Sequence, residues 1–436
     1  MQLDKQTLKD LEIFKAEEGD AAVFDFINKT KTTGGKYRLR EKFLYPPDSL
    51  ELIKVQQESI RYLTENWEIF SIPFNDRMLK SLEEYLSTNI DFVKGGSLLE
   101  CVKFCLVDIQ AYRYLKNSLS EIAGFINGFY KLLHEKKEGL PAILKTAYEE
   151  LDLIIHDEGF KKINSLPDKK LFAFYYVLQT DRFLRTNMKT SLASILSWYY
   201  ETDALLAMAK ATCEYHFIFP EFVEIQDSIF EAESLYHPML ANAIPSDVKL
   251  DRNLNLIFLT GPNMSGKTTF LKATGIAVYL AHLGMGIPAK RASVSYFDRL
   301  FTSLNITDNI LSGYSFFFSE VKRVKQLAEA LNSGEKIFTL FDELFRGTNV
   351  KDAYDATVMV ISGLALWNNS IFVISSHLWE VWDKIKHFAN IKSLCFDSEI
   401  SFGVPVFSYR MVSGVSQMRL GLTIIENEKI MELLKH

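Results

Sequence analysis

Residues 261–268 read Gly-Pro-Asn-Met-Ser-Gly-Lys-Thr and follow directly on the apolar run Asn255-Leu-Ile-Phe-Leu-Thr260. Two glycines separated by four residues, then a lysine and a hydroxyl, form a G-x-x-x-x-G-K-[ST] loop, a phosphate cradle set between a strand and a helix. Gly261 and Gly266 allow a tight turn whose N–H groups converge on phosphate oxygens. A helix expected over Thr269–Leu283 points its positive end at the same charge. Gly261, Pro262, Asn263, Met264, Ser265, Gly266, Lys267, Thr268 and Thr269 form the expected nucleotide-binding segment. Lys267 is placed to reach the β- and γ-phosphates and Thr268 to ligate Mg²⁺. The plain alternative is a Gly-rich turn between a strand and a helix.

A second apolar run, Ile337-Phe-Thr-Leu-Phe341, ends in Asp342-Glu343. Two acids after a strand mean little alone. Some seventy residues after a phosphate loop, Asp342 is expected to hold Mg²⁺ directly or through water, and Glu343 to act as general base on the attacking water. A third run, Ile371–Ile374, ends in Ser375-Ser376-His377. A histidine at the carboxyl end of a central strand faces the ligand crevice of an open α/β sheet, so His377 is expected at the γ-phosphate. The alternative is a structural histidine bonded to a neighbouring loop. The turn Arg346-Gly347-Thr348-Asn349 before Asp352 reads equally as a helix cap.

Elements of two kinds must position these residues. Residues 1–225 show mostly helical periodicity, with few Gly and Pro. After the break at Pro46-Pro47, Leu50, Ile53, Gln57, Ile60 and Leu63 mark one helix, and longer helical stretches are expected over 76–90, 97–135, 140–157 and 168–213. From Phe217 onward short apolar runs alternate with helical segments, the pattern of a mostly parallel sheet covered by helices. The expected organisation is an all-helical domain over 1–225 and a P-loop ATPase domain over 226–436, an α plus α/β fold class, with the boundary near Pro220–Gln226.

The chain has 436 residues, 48% apolar and 24% charged, a net charge of −6 and a pI near 5.9. This is an ordinary globular composition, and it argues against a broad basic surface that coats nucleic acid. Four cysteines are too few for a disulfide scaffold, and Cys101 and Cys105, one helical turn apart, read as core thiols rather than metal ligands. With no apolar leader and no run of 18 to 20 apolar residues, a cytoplasmic protein without membrane contact is expected.

The motif set resembles the MutS family of DNA mismatch-repair ATPases. Its carriers are Thr260–Lys272, Gly284-Met-Gly-Ile-Pro288-Ala289, Phe297-Asp298-Arg299, Ser312-Gly313-Tyr314-Ser315, Asp342-Glu343, Ser376-His377, and the closing stretch from Tyr409 to Gly421-Leu-Thr-Ile. Asn28-Lys-Thr-Lys-Thr32-Thr-Gly-Gly35, Tyr45-Pro46 through Gln56-Gln57, and His237-Pro238 are similar to the openings of the family's core and ATPase domains. The resemblance implies an ABC-type ATPase that works as a homodimer with composite sites. Ser315, in Ser315-Phe-Phe-Phe-Ser-Glu320, would meet the partner's γ-phosphate, with Phe316 where the family has Thr. Ile244, in Ile244-Pro-Ser-Asp247, stands where the family places its adenine-stacking aromatic. ATP and Mg²⁺ are the implied cofactors. The family's mismatch-reading and connector domains, full clamp and C-terminal dimerisation helices are not expected in this sequence. The expected output is therefore open: DNA of mismatched or special structure, another repair protein, or a nucleotide-dependent protein-interaction module that binds no DNA. Lys29, Lys31, Lys36, Arg38 and Arg40 form a cluster that would favour DNA, or a solvated helix end. Leu311-Ser-Gly-Tyr-Ser315 superficially echoes the ABC-transporter signature, but the Ser376-His377 context and the helical half do not fit a transporter.

Overall fold

A computed structural model describes residues 1–15, 22–70, 76–88, 90, 93, 96–157, 160–161, 173–224, 227–304, 316–401, 404–418 and 430–434. The chain divides into two compact units. One comprises Met1–Ile27, Lys42–Gln57 and Ala211–His436, and the other Asn28–Glu41 and Glu58–Lys210.

The first unit is built on a six-stranded sheet. Its strands are β1 (Leu256–Thr260), β2 (Arg299–Ser303), β3 (Ile337–Asp342), β4 (Ile371–Ser375), β5 (Ile391–Ser401) and β6 (Val404–Ser413), in the order β6-β5-β1-β4-β3-β2. Every described pairing is parallel except the β5–β6 hairpin. β1, β3 and β4 are buried along their whole length. That is why they read as unbroken apolar runs rather than alternating ones: a parallel sheet is covered on both faces. The covering helices that bear on the site are α1 (Lys267–His282), α2 (Phe316–Asn332) and α3 (Val350–Leu364). A four-stranded sheet of Glu221–Phe222, Arg291–Val294, Phe230–Leu235 and Ser246–Leu250, in that spatial order, completes the unit. The chain's first residues are part of it. Gln2 pairs with the β2 edge, donating to Asp298 O at 2.7 Å and accepting from Leu300 N at 3.2 Å, and Asp10 accepts from Thr302 Oγ1 and Leu304 N.

Register places the site. Leu259 stands opposite Ser375, and Ser375 opposite Asp342. Parallel strands end on the same side of a sheet, so the segments leaving β1, β3 and β4 converge at one edge, where α/β sheets bind ligands.

The second unit is helical. Its elements include Asp76–Ser87, Leu98–Val107, Ile109–His134, Ala142–His156 and Ala173–Asn187, with the part of Lys189–Glu214 up to residue 210. Two long stretches expected as continuous helices are each split. At 97–135 the break is Asp108, whose φ of −139° leaves the helical region while its carboxylate caps Ala111 N at 2.8 Å. An Asp offers the backbone a competing hydrogen bond, and here the cap wins over continuation. The other split falls at Met188, between Ala173–Asn187 and Lys189–Glu214.

A buried carboxylate ties this unit's first segment down. Asp203 Oδ2 accepts from Thr32 Oγ1 at 2.7 Å and Thr32 N at 2.9 Å, and Oδ1 accepts from Lys31 N at 3.1 Å. A Cβ on Gly35 would come within 2.1 Å of Asp203 Oδ2, which explains the glycine there. Asp203→Ala strands these donors in the interior and is expected to cost about 3 kcal/mol, because each unpaired buried group costs roughly 1–3 kcal/mol. Chemical denaturation of the two proteins measures it, and a difference under about 0.5 kcal/mol would refute the account.

Among the described residues no helix is long and apolar enough to cross a membrane.

Candidate nucleotide site

β1 delivers the chain into the loop at Gly261, which has φ 150°, and Gly266 (φ 108°) starts α1 in the left-handed region that favours glycine. A Cβ on Gly261 would lie 2.8 Å from Ser265 Oγ. No side chain caps α1, so its first N–H groups are left for a ligand. Ser265 Oγ is buried, with no hydrogen-bond partner among the described residues. The Lys267 ammonium folds back on the loop, donating to Gly261 O at 2.7 Å and Pro262 O at 3.1 Å. Burial depresses the Lys267 pKa, against the opposing pull of Glu343 and Asp342. Asn263, Met264 and Thr269 are exposed around the loop, with Met264 itself left-handed at φ 68°.

Asp342, at the end of β3, meets the loop. Thr268 Oγ1 donates to Asp342 Oδ2 at 2.6 Å, and Ser375 Oγ donates to Oδ1. Glu343 follows in a left-handed conformation (φ 55°), its N–H bonded to Ser375 O at 3.0 Å. Its carboxylate lies 2.9 Å from Arg346 Nε, 3.5 Å from His377 Nδ1 and 3.9 Å from Lys267 Nζ. Burial opposes that charge. The hydrogen bond with His377 and the charges of Arg346, His377 and Lys267 outweigh it and hold the carboxyl below its usual range. His377 is 56% exposed. Five of the residues expected to do chemistry or hold the metal, or their direct neighbours, thus meet at one edge: Lys267, Thr268, Asp342, Glu343 and His377.

A cleft of about 690 Å³ opens over Lys267, Thr268, Asp342 and Glu343; His377 is not among the residues that line it. The loop from Pro262 to Thr269 forms one side, and Ile244, Phe396 and Tyr409 also line it. Ile244 is an apolar, half-exposed wall. Tyr409 carries no site role in the sequence reading. It sits at the register irregularity between Phe407 and Met411 in a left-handed conformation (φ 54°), 3.4 Å from where a Gly266 Cβ would be. Only the bulge aims it at the loop, and a bulge leaves little trace in residue types. Arg346 was legible only as part of a turn. Ser315, Ser312-Gly313-Tyr314 and Gly421-Leu-Thr-Ile lie outside the described residues.

The donor set suits Mg²⁺. Among the described residues no group of three or more His, Cys, Asp or Glu could hold a metal. A hydroxyl and one carboxylate, Thr268 and Asp342, are hard oxygen donors of the kind Mg²⁺ takes alongside phosphate oxygens and water.

The architecture is thus a mixed helix and sheet protein with a mostly parallel sheet and the 261–268 loop at its carboxyl edge. The sequence model of MutS domain V matches residues 257–433. A DNA mismatch repair protein MutS from Geobacillus sp. (strain WCH70) is 25% identical over 316 residues, 69% of this chain and 36% of the relative. Those from Ehrlichia ruminantium (strain Gardel) and Fervidobacterium nodosum are 30% and 28% identical, over 51% and 53% of this chain and 28% of each relative. The domain V match and these relatives support a MutS-family member over the C-terminal part of the chain. It spans about a third of the length of these relatives.

Proposed function

We propose that the chain binds and hydrolyses Mg–ATP in this cleft, as an ABC-type ATPase of the MutS kind, and couples nucleotide state to movement of its helical part in mismatch repair or a related transaction on structured DNA. The observation that carries the reading is the meeting of the loop with the two acids: Thr268 on Asp342 at 2.6 Å and Lys267 beside Glu343 at 3.9 Å. The loop amides and Lys267 take the phosphates, Thr268 and Asp342 hold Mg²⁺, and Ile244 and Tyr409 offer the walls for the base. When bound, Mg²⁺ neutralises charge on the phosphates. Glu343, kept ionised by Arg346 and His377, accepts the proton of the attacking water, and His377, 3.5 Å from Glu343, would approach the γ-phosphate. With it goes the proposed domain assignment, a helical lever within 1–225 and the ATPase domain over 226–436, although Met1–Ile27 and Lys42–Gln57 fall in the compact unit that carries the sheet.

Working as a dimer, the protein would bring Ser315 of one chain to the γ-phosphate held by the other, with two equivalent sites. Sedimentation of the Glu343→Gln protein tests this. With saturating Mg–ATP it should dimerise at tens of micromolar, a range in which even a weak micromolar association shows. A monomer under those conditions, with wild-type turnover in Ser315→Ala, removes the composite site. Titration with mismatched, branched and plain duplex DNA at several salt concentrations tests the output, since phosphate contacts make affinity fall steeply with salt. The net charge of −6 favours the second reading, a nucleotide-dependent protein-interaction module, and no nucleotide-sensitive DNA binding in that titration would select it.

A further inference from the structure

The loop after the two acids is held from an unexpected direction. Phe345 has a left-handed backbone (φ 64°), two residues after the left-handed Glu343. For a bulky residue this conformation is costly and persists only where surroundings impose it. Two contacts from α2 do so. The Phe317 ring packs on the Phe345 ring with centroids 5.7 Å apart, and Glu320 Oε1 accepts the Phe345 N–H at 3.0 Å. Glu320 is only 5% exposed, and its Oε2 has no hydrogen-bond partner among the described residues. The backbone N–H groups of Arg346 and Gly347 face the same carboxylate; burial nonetheless pushes its pKa up. A buried acid on a neighbouring helix, turned to a run of three backbone amides, is an expensive way to hold a turn. One helical step on, Arg323 fixes α2 itself: its Nη2 donates to Thr302 O at 2.7 Å and its guanidinium lies 3.7 Å from the Phe301 ring centroid. Glu320 therefore projects from a firmly seated helix.

The residue between the stapled amides is Arg346, the nearest cation to Glu343 at 2.9 Å, which also reaches back to Asp342 O at 3.4 Å. We propose that Glu320 is a positioning residue for the hydrolytic base: by holding the 345–347 backbone from α2, it fixes Arg346 against Glu343 and so sets the place of that carboxylate. The inference rests on Glu343 being the base, as argued above.

The experiment compares wild type, Glu320→Ala and Glu320→Gln for Mg–ATP affinity by calorimetry and for kcat. With Glu320 gone the turn relaxes and Arg346 drifts from Glu343. The kcat of Glu320→Ala should fall by about 10- to 100-fold, as small misplacements of reacting groups do. Its Kd for Mg–ATP should stay within about threefold, a small free-energy change. Glu320→Gln retains an acceptor oxygen for Phe345 N–H and should recover most of kcat. Arg346→Ala should lower kcat likewise, and combining it with Glu320→Ala should add little further loss. If Glu320→Ala does not fold, Glu320→Asp, one methylene shorter, carries the same readout. A loss of kcat matched by a loss of Mg–ATP affinity, no recovery in Glu320→Gln, or no loss at all overturns the inference. A wild-type protein that neither binds nor turns over Mg–ATP overturns the functional reading itself, so the two failures are distinct.

Discussion

Glu343→Gln is expected to bind Mg–ATP as wild type does and to hydrolyse it about 10²- to 10⁴-fold more slowly, the usual cost of removing a positioned general base. The amide preserves the shape of the side chain and its contacts with Arg346 and His377, but it cannot take a proton from water. The surroundings add a pH signature. The base works only when ionised, and Glu343 is held below the usual range by His377, Arg346 and Lys267 in spite of its burial. Wild-type turnover should therefore persist as pH falls through the ordinary glutamate range and fail only below it. In the Gln variant the residual rate should lack that acid limb. Single-turnover kinetics across pH check both points. Hydrolysis within threefold of wild type would exclude Glu343, and a limb that survives the substitution would assign it to another group.

The chemistry was legible in the sequence where it is written contiguously. The 261–268 loop fixes its own backbone through two glycines, and the acids of β3 and the His after β4 follow apolar runs that could only be buried strands. Their meeting needed one further inference, that parallel strands end at the same edge. What was not legible depends on contacts between distant segments. Glu320 looks like any helical acid until α2 is laid beside the 345–347 turn. Tyr409 is aimed by a strand irregularity. The pairing of Gln2 with the β2 edge leaves no periodic trace, because one residue of edge pairing has none to leave. The split at Asp108 was hidden for the opposite reason: apolar spacing runs through it, and only the cap bond to Ala111 shows that the helix restarts.

Lys267→Ala separates charge from shape at the loop. The ammonium is the cation that the loop itself supplies to the phosphates, and it stands ready, depressed in pKa by burial yet held by two carbonyls of the loop. Binding ATP exchanges those carbonyls for phosphate oxygens. A charge-assisted bond of this kind is worth roughly 1.5–3 kcal/mol. Losing it at the upper end raises Kd for Mg–ATP by about 150-fold, since each 1.4 kcal/mol is tenfold. The effect on stability should run the other way in its dependence on ligand. The apo variant loses only internal bonds to Gly261 O and Pro262 O, so its melting temperature should stay near wild type. Saturating nucleotide should raise the wild-type melting point and not the variant's, because a ligand at 100 times its Kd stabilises by about 2.7 kcal/mol and one below its Kd barely does. A second consequence follows from the 3.9 Å approach of Lys267 to Glu343. Removing the lysine takes one cation from the base, so whatever slow turnover remains should have its acid limb shifted upward. Calorimetry, thermal shifts with and without Mg–ATP, and a pH profile measured at high nucleotide read all three. Unchanged affinity in Lys267→Ala would mean that the loop cradles something other than the phosphates, and the assignment of the cleft would fall with it.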